Sequence, residues 1–183
     1  HDGKRIATVA DAGGEDTLEI HTVDGSQPPL LLESLDIGRP TSLLPSPKQP
    51  LLALTNHRNE LLLVEPATQS VRVLDRSRYA RIQDVTWSPD GAWLAYSFQE
   101  TAQAAIIKLC RVETGETWPV TKPLLEDCSP SFDPDGKYLY FLSFRDFNPV
   151  RDNLHFNMSF PRGGRPFLVT LQADTLSPFG PPS

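Results

Sequence analysis
The sequence predicts an all-β chain: a β-propeller fragment of about four blades of four-stranded antiparallel sheets, the first blade lacking its inner strand. Proline makes up 18 of 183 residues, about twice ordinary usage, and is spread along the whole chain. Inside a helix a proline removes a hydrogen bond and clashes with the preceding turn, so long helices have little room here. Apolar residues nowhere sustain helical spacing; they fall in short β-branched, Leu-rich and aromatic runs between Pro, Gly, Asp and Asn clusters. Those runs recur. Pro47 to Pro89 is 42 residues, Pro89 to Pro134 is 45, and Asp2 to Lys48 is 46. A period of forty-odd residues with four short strands is that of a propeller blade.

The elements come in chain order. His1-Asp2-Gly3-Lys4 opens within a turn and leads into Arg5–Val9, matching only the second half of a unit; the chain is therefore expected to be an excised piece of a longer propeller. In the next three units an apolar strand arrives at Leu44, Trp87 or Phe132 and ends in a turn. In Pro89-Asp90-Gly91 and Pro134-Asp135-Gly136 the proline presets φ, the aspartate bonds back to the backbone, and the glycine takes a positive φ. A second strand leaves, as in Ala92–Ser97 and Lys137–Ser143. Third strands are Thr17–Thr22, Glu60–Val64, Ala105–Val112 and Phe167–Leu171; outer strands are Pro29–Leu32, Val71–Leu74 and Thr117–Val120. Residues 1–183 thus read as one partial propeller domain, with an incomplete blade at 1–36 and four-stranded blades at 39–78, 80–125 and 127–178. Such sheets are unstable alone in water and must bury their faces against neighbours.

Composition narrows the function. A net charge of −6 and a pI near 5.2 argue against a nucleic-acid partner, which needs a dense positive face. Apolar runs such as Leu61–Val64 and Tyr138–Leu142 fall far short of the roughly 20 residues of a membrane helix. No basic segment leading into an apolar stretch opens the chain. Cys110 and Cys128 cannot form a disulfide framework.

The last unit is more specific. Phe141-Leu142-Ser143-Phe144-Arg145-Asp146 leads into Phe147-Asn148-Pro149, an inserted Phe156-Asn157-Met158-Ser159-Phe160 strand, and Arg165-Pro166-Phe167-Leu168-Val169-Thr170-Leu171. This order resembles the late blades of the larger, seven-bladed propeller of the tricorn protease family, and Trp87–Phe98 resembles the blade before them. The likeness is strongest over about 82–176. It implies a non-catalytic propeller segment of a cytoplasmic, hexameric serine peptidase, guiding or filtering peptide substrates and supporting assembly. The partners it implies are the remaining propeller and peptidase domains, peptides and copies of the chain. Two other propeller classes share such turns: the periplasmic interaction module of the Tol type, and the gating propeller of a prolyl oligopeptidase-type enzyme. An export signal, or a downstream hydrolase with a Gly-x-Ser-x-Gly elbow, would mark them.

Site chemistry is sparse. No Gly-x-Ser-x-Gly elbow occurs, and His1, His21, His57 and His155 lie in different units, so no catalytic residue is assigned. Asp90-Gly91 and Asp135-Gly136 offer too few oxygens for calcium, and no phosphate loop or dinucleotide fingerprint occurs; no metal or cofactor is expected. Cys110 and Cys128 read as buried, inert thiols. The insertion carries Arg145, Arg151, Arg162 and Arg165 against Asp146 and Asp152. As a basic rim it would attract peptide carboxylates; alternatively these are surface charges or contacts between blades or domains. Trp87, Trp93, Phe132 and Tyr138 flank the turns and read as blade core.

Overall fold
The computed structural model describes residues 3–12, 14–145, 150–151, 158–159 and 163–180. Every element among them is a β-strand. The first sheet has three strands in order, β1 (Arg5–Ala12), β2 (Glu15–Thr22) and β3 (Leu30–Leu32). Two four-stranded antiparallel sheets come next: β4 (Pro40–Pro45), β5 (Leu52–Asn56), β6 (Glu60–Glu65) and β7 (Ser70–Arg76), then β8 (Gln83–Trp87), β9 (Trp93–Gln99), β10 (Ala105–Arg111) and β11 (Thr117–Pro119). The last sheet joins β12 (Asp127–Phe132), β13 (Tyr138–Ser143) and β16 (Arg165–Thr170); between β13 and β16, β14 (Val150–Arg151) and β15 (Met158–Ser159) form a two-stranded hairpin.

The last unit therefore departs from the four strands expected of it: among the described residues nothing pairs with the outer side of β16. Beyond the Gln172–Asp174 turn the described chain continues as turn and loop. The Leu176 carbonyl accepts the Tyr138 hydroxyl at 2.9 Å, and Pro178 two residues on has no N–H to give a ladder.

Side-chain alternation explains why the sheets stack side by side. In β5, Leu52 and Leu54 face the first sheet and join Leu18, Leu32 and Ile37; Ala53 between them faces the third sheet and joins Leu94, Tyr96 and Ile106. Strand β6 repeats this, with Leu62 and Val64 on one side and Leu61 and Leu63 on the other. A third core packs Ala95 and Ile107 of the third sheet against Leu139 and Phe141 of the last. The middle blades are thus apolar on both faces, which is why β5 and β6 read as continuous apolar runs rather than alternating ones. Each fully buried leucine contributes roughly 1.5–3 kcal/mol. The outermost blades are covered on one face only: in β13, Leu139 and Phe141 are buried while Tyr140 and Leu142 are exposed.

The inner turns fix blade against blade. Ser46, Ser88 and Asp133 occupy one repeated position. Their N–H groups donate to the carbonyls five residues on, Leu51, Trp93 and Tyr138, at 2.9, 2.9 and 3.1 Å. Ser88 Oγ also accepts from Trp93 N at 2.9 Å, and Asp133 Oδ1 from Tyr138 N at 2.6 Å. Asp90 bonds back to the backbone as expected, accepting from Ala92 N at 3.0 Å. The Ser88 hydroxyl first, and then that N–H, hold its carboxyl below the usual range. In the last turn that work falls to Asp133, while the Asp135 carboxylate lies 3.6 Å from Lys137 Nζ. Gly91 and Gly136 have φ of +73° and +68°. At Gly91 a Cβ would stand 3.0 Å from Ser46 Oγ and 3.3 Å from Lys48 Cβ of the preceding turn, so glycine is demanded by packing as well as by φ. Trp87 Nε1 crosses the same boundary to the Leu44 carbonyl at 3.2 Å.

Candidate functional site
In each of the last three sheets the first strand lies at one edge of the sheet, the position of the inner, axial strand in a propeller blade. All three of these inner strands are bulged near their starts: between Pro40 and Ser42 in β4, Gln83 and Thr86 in β8, and Cys128 and Ser131 in β12. The bulged residues Thr41, Asp84 and Ser129 repeat at separations of 43 and 45 residues. Asp84 and Ser129 have φ of 52° and 53°, a left-handed conformation that side chains resist. Bulges and strain of this kind re-aim side chains at functional edges. A row of exposed polar groups results. Sequence reading missed them; the recoverable signal was a short polar residue recurring two or three positions into each inner strand.

Neighbouring inner strands are joined unequally. Asp84 Oδ2 accepts from Ser129 N at 2.9 Å and from Ser97 Oγ at 3.2 Å, clamping β8 to β12. Between β4 and β8 there is instead a cleft of about 500 Å³, lined by residues including Thr41, Ser42, Thr55, Arg81, Gln83 and Asp84.

The insertion arginines occupy different settings. Arg145 is committed to its own blade: its guanidinium meets both oxygens of buried Asp127 at 2.9 and 3.1 Å, Nε donates to Ser143 Oγ at 2.7 Å, and the group lies 4.8 Å from the Phe167 ring. Its partner among the described residues is thus Asp127; Asp146, Asp152 and Arg162 lie outside the described residues. Arg151 belongs to β14, and Arg165, at the start of β16, pairs across the sheet with Ser143. Of the turn aromatics, Trp87 packs on the core between the second and third sheets and Phe132 on that between the third and last. Trp93 lies 5.6 Å from Trp118, and Tyr138 lies 6.3 Å from Tyr140.

Other reactive groups are held apart. His57 Nδ1 accepts Arg39 N–H at 2.9 Å, and His21 contacts Glu19 at 2.9 Å; His1 and His155 lie outside the described residues. Among the described residues no three His, Cys, Asp or Glu side chains converge as a metal site, and no helix is long and apolar enough to cross a membrane. Cys110 is fully buried, whereas Cys128 is half-buried, a correction to the reading of both as buried. Burial, with the Asp75 charge adding to it, pushes the Cys110 thiol up to about 11. The thiolate being the reactive form, Cys128 is expected to be alkylated by iodoacetamide at pH 8 while Cys110 resists until the chain unfolds, as mass spectrometry of the labelled peptides will read.

Known proteins share this architecture. The family model described as the tricorn protease second beta propeller domain matches residues 1–183. A tricorn-like protease C-terminal subunit of Sulfurisphaera tokodaii is 41% identical over 94% of this chain and 20% of its own length. Tricorn protease homolog 1 of Streptomyces coelicolor is 37% identical over 96% of the chain and 17% of its own length. This chain therefore spans a fifth or less of these relatives. A crystal structure of the tricorn protease superposes with a TM-score of 0.87 at 25% identity, over 96% of this chain and 18% of that one. TolB from Acinetobacter baumannii matches at a TM-score of 0.58 and 20% identity, over 85% of this chain and 40% of its own, a likeness of fold alone.

Proposed function
The chain belongs to the tricorn protease family, within its second β-propeller domain, and from that premise we propose that it is a non-catalytic wall of a longer serine peptidase, guiding or filtering peptide substrates. In this reading the chain works in the cytoplasm beside the remaining blades and the peptidase domains, and it supports a homo-oligomer, a hexamer as the family resemblance implies. The observation that carries the peptide role is the row of polar bulges at Thr41, Asp84 and Ser129 along the axial edge. Extended peptides present main-chain donors and acceptors, and rigidly held hydroxyls and carboxylates on a strand edge match them without demanding one sequence. The Tol-type reading rests on a likeness of fold alone.

The test is activity. The purified chain is expected to hydrolyse no peptide, while the full-length protein does. Turnover by the chain that disappears when one of its own residues is substituted would overturn the non-catalytic reading.

A further inference from the structure
We infer that the cleft between β4 and β8 is a binding site for the carboxyl-terminal end of a peptide, with Arg81 as its carboxylate receptor. This rests on the peptide-guiding reading above and adds to it a site and a ligand terminus.

The cleft is bounded unevenly. At the far end of the two strands the Trp87 indole N–H donates to the Leu44 carbonyl at 3.2 Å and joins the walls. At the near end stands Arg81, just before β8. Arg81 is exposed, and no hydrogen bond or ion pair holds it among the described residues. Further back, Arg76 is paired with Glu60 and Arg72 donates to the Glu113 carbonyl at 3.0 Å; Arg78 is exposed like Arg81 but does not line the cleft. An unpaired guanidinium at the mouth of a half-closed cleft is suited to a carboxylate, which it can grip through two parallel hydrogen bonds.

The rest of the lining suits the residues that precede such a carboxylate. Leu44 and Val85, which pack on the core between these two sheets, bound its apolar side. Thr55 Oγ1 lies 2.9 Å from Thr41 Oγ1 and 2.6 Å from Ser42 Oγ, a hydroxyl cluster able to donate or accept. Gln83 adds an exposed amide. Asp84 of the lining turns Oδ2 to Ser97 and Ser129 and makes no ion pair with Arg81; on its other side Arg81 borders a cleft lined by Asp16, Glu33 and Asp36, of which Asp16 pairs with Arg39 and Asp36 with Arg58. The volume, about 500 Å³, lies within the range of roughly 300–1,000 Å³ usual for small-ligand clefts. It accommodates a chain end rather than a folded partner. Between β8 and β12, by contrast, the Asp84–Ser129 bond joins the two strands.

The experiment is photo-crosslinking in the full-length protein that carries the chain. The probe is a short unstructured peptide with a benzophenone near its C-terminus, made both as free acid and as C-terminal amide, and crosslinked residues are read by mass spectrometry. The free acid is expected to label Thr41–Leu44 and Gln83–Val85, and the amide to label them about 10- to 100-fold less, the worth of one charge-assisted contact. Arg81→Gln abolishes that preference, while Arg78→Gln, an equal change of charge on a neighbouring exposed arginine, preserves it. Equal labelling by acid and amide, insensitivity to Arg81→Gln, or labelling of this chain only outside the cleft overturns the site and leaves the peptide-guiding role standing. No labelling anywhere on this chain overturns both.

Discussion
Asp75→Ala is expected to lower the stability of the chain by about 3–5 kcal/mol, the cost of breaking a buried ion pair by removing one partner. Asp75 ends the outer strand of the second blade and reaches into the third. Its Oδ2 accepts the Tyr96 hydroxyl at 2.7 Å and pairs with Lys108 Nζ, which stands 4.0 Å above the Phe98 ring. The Asp75 and Lys108 side chains are only 14% and 12% exposed, so water screens them little. Tyr96 is fully buried, and burial first, then the Asp75 charge, pushes its hydroxyl far up, so it remains a donor at any working pH. Without the carboxylate, a buried ammonium and a buried hydroxyl both lose their acceptor. Lys108→Met on the Asp75→Ala background removes the stranded charge and is expected to recover part of the loss. Urea unfolding of the two single variants and the double closes the cycle. Additive losses would mean that the pair is not coupled and that apolar burial alone joins these blades.

This triad also marks where sequence reading stops. The turns were legible because their chemistry is local: Pro, Asp and Gly within three positions dictate a tight turn whatever surrounds it. The strands were legible because two-sided burial demands unbroken apolar runs, as in Leu61–Val64. Asp75 and Lys108 lie 33 residues apart, and nothing local distinguishes them from solvated charges. The same holds for Arg145: in sequence it reads as part of a basic rim, a surface charge or a contact between blades or domains, whereas the β12–β13 register puts Asp127 opposite Ser143 and within its reach. The last blade differs for another reason: among the described residues no strand follows β16. Its third strand ends in a turn like the others, and beyond it Tyr138 meets the Leu176 carbonyl, 38 residues away, a contact the local sequence does not state. The axial bulges were hidden because a bulge is a matter of register between two strands, which neither strand's residues state alone.

The second large effect concerns passage along the axis. Ser129 is exposed at the β12 bulge, and its backbone, not its side chain, makes the bond to Asp84. Ser129→Cys in a Cys128→Ser background therefore places a thiol on the axial edge without disturbing the clamp, and coupling it to a bulky polyethylene glycol maleimide obstructs the axis. If the propeller wall guides substrates to a catalytic domain elsewhere, an obstruction should discriminate by substrate length rather than abolish chemistry. The measurement is kcat/KM of the full-length protein for a long peptide and for a short fluorogenic one, against the same treatment of the Cys128→Ser protein. The account predicts a fall of about tenfold for the long peptide, some 1.4 kcal/mol of transition-state access, with the short substrate unaffected. An unchanged rate for both, or an equal fall for both, would contradict it.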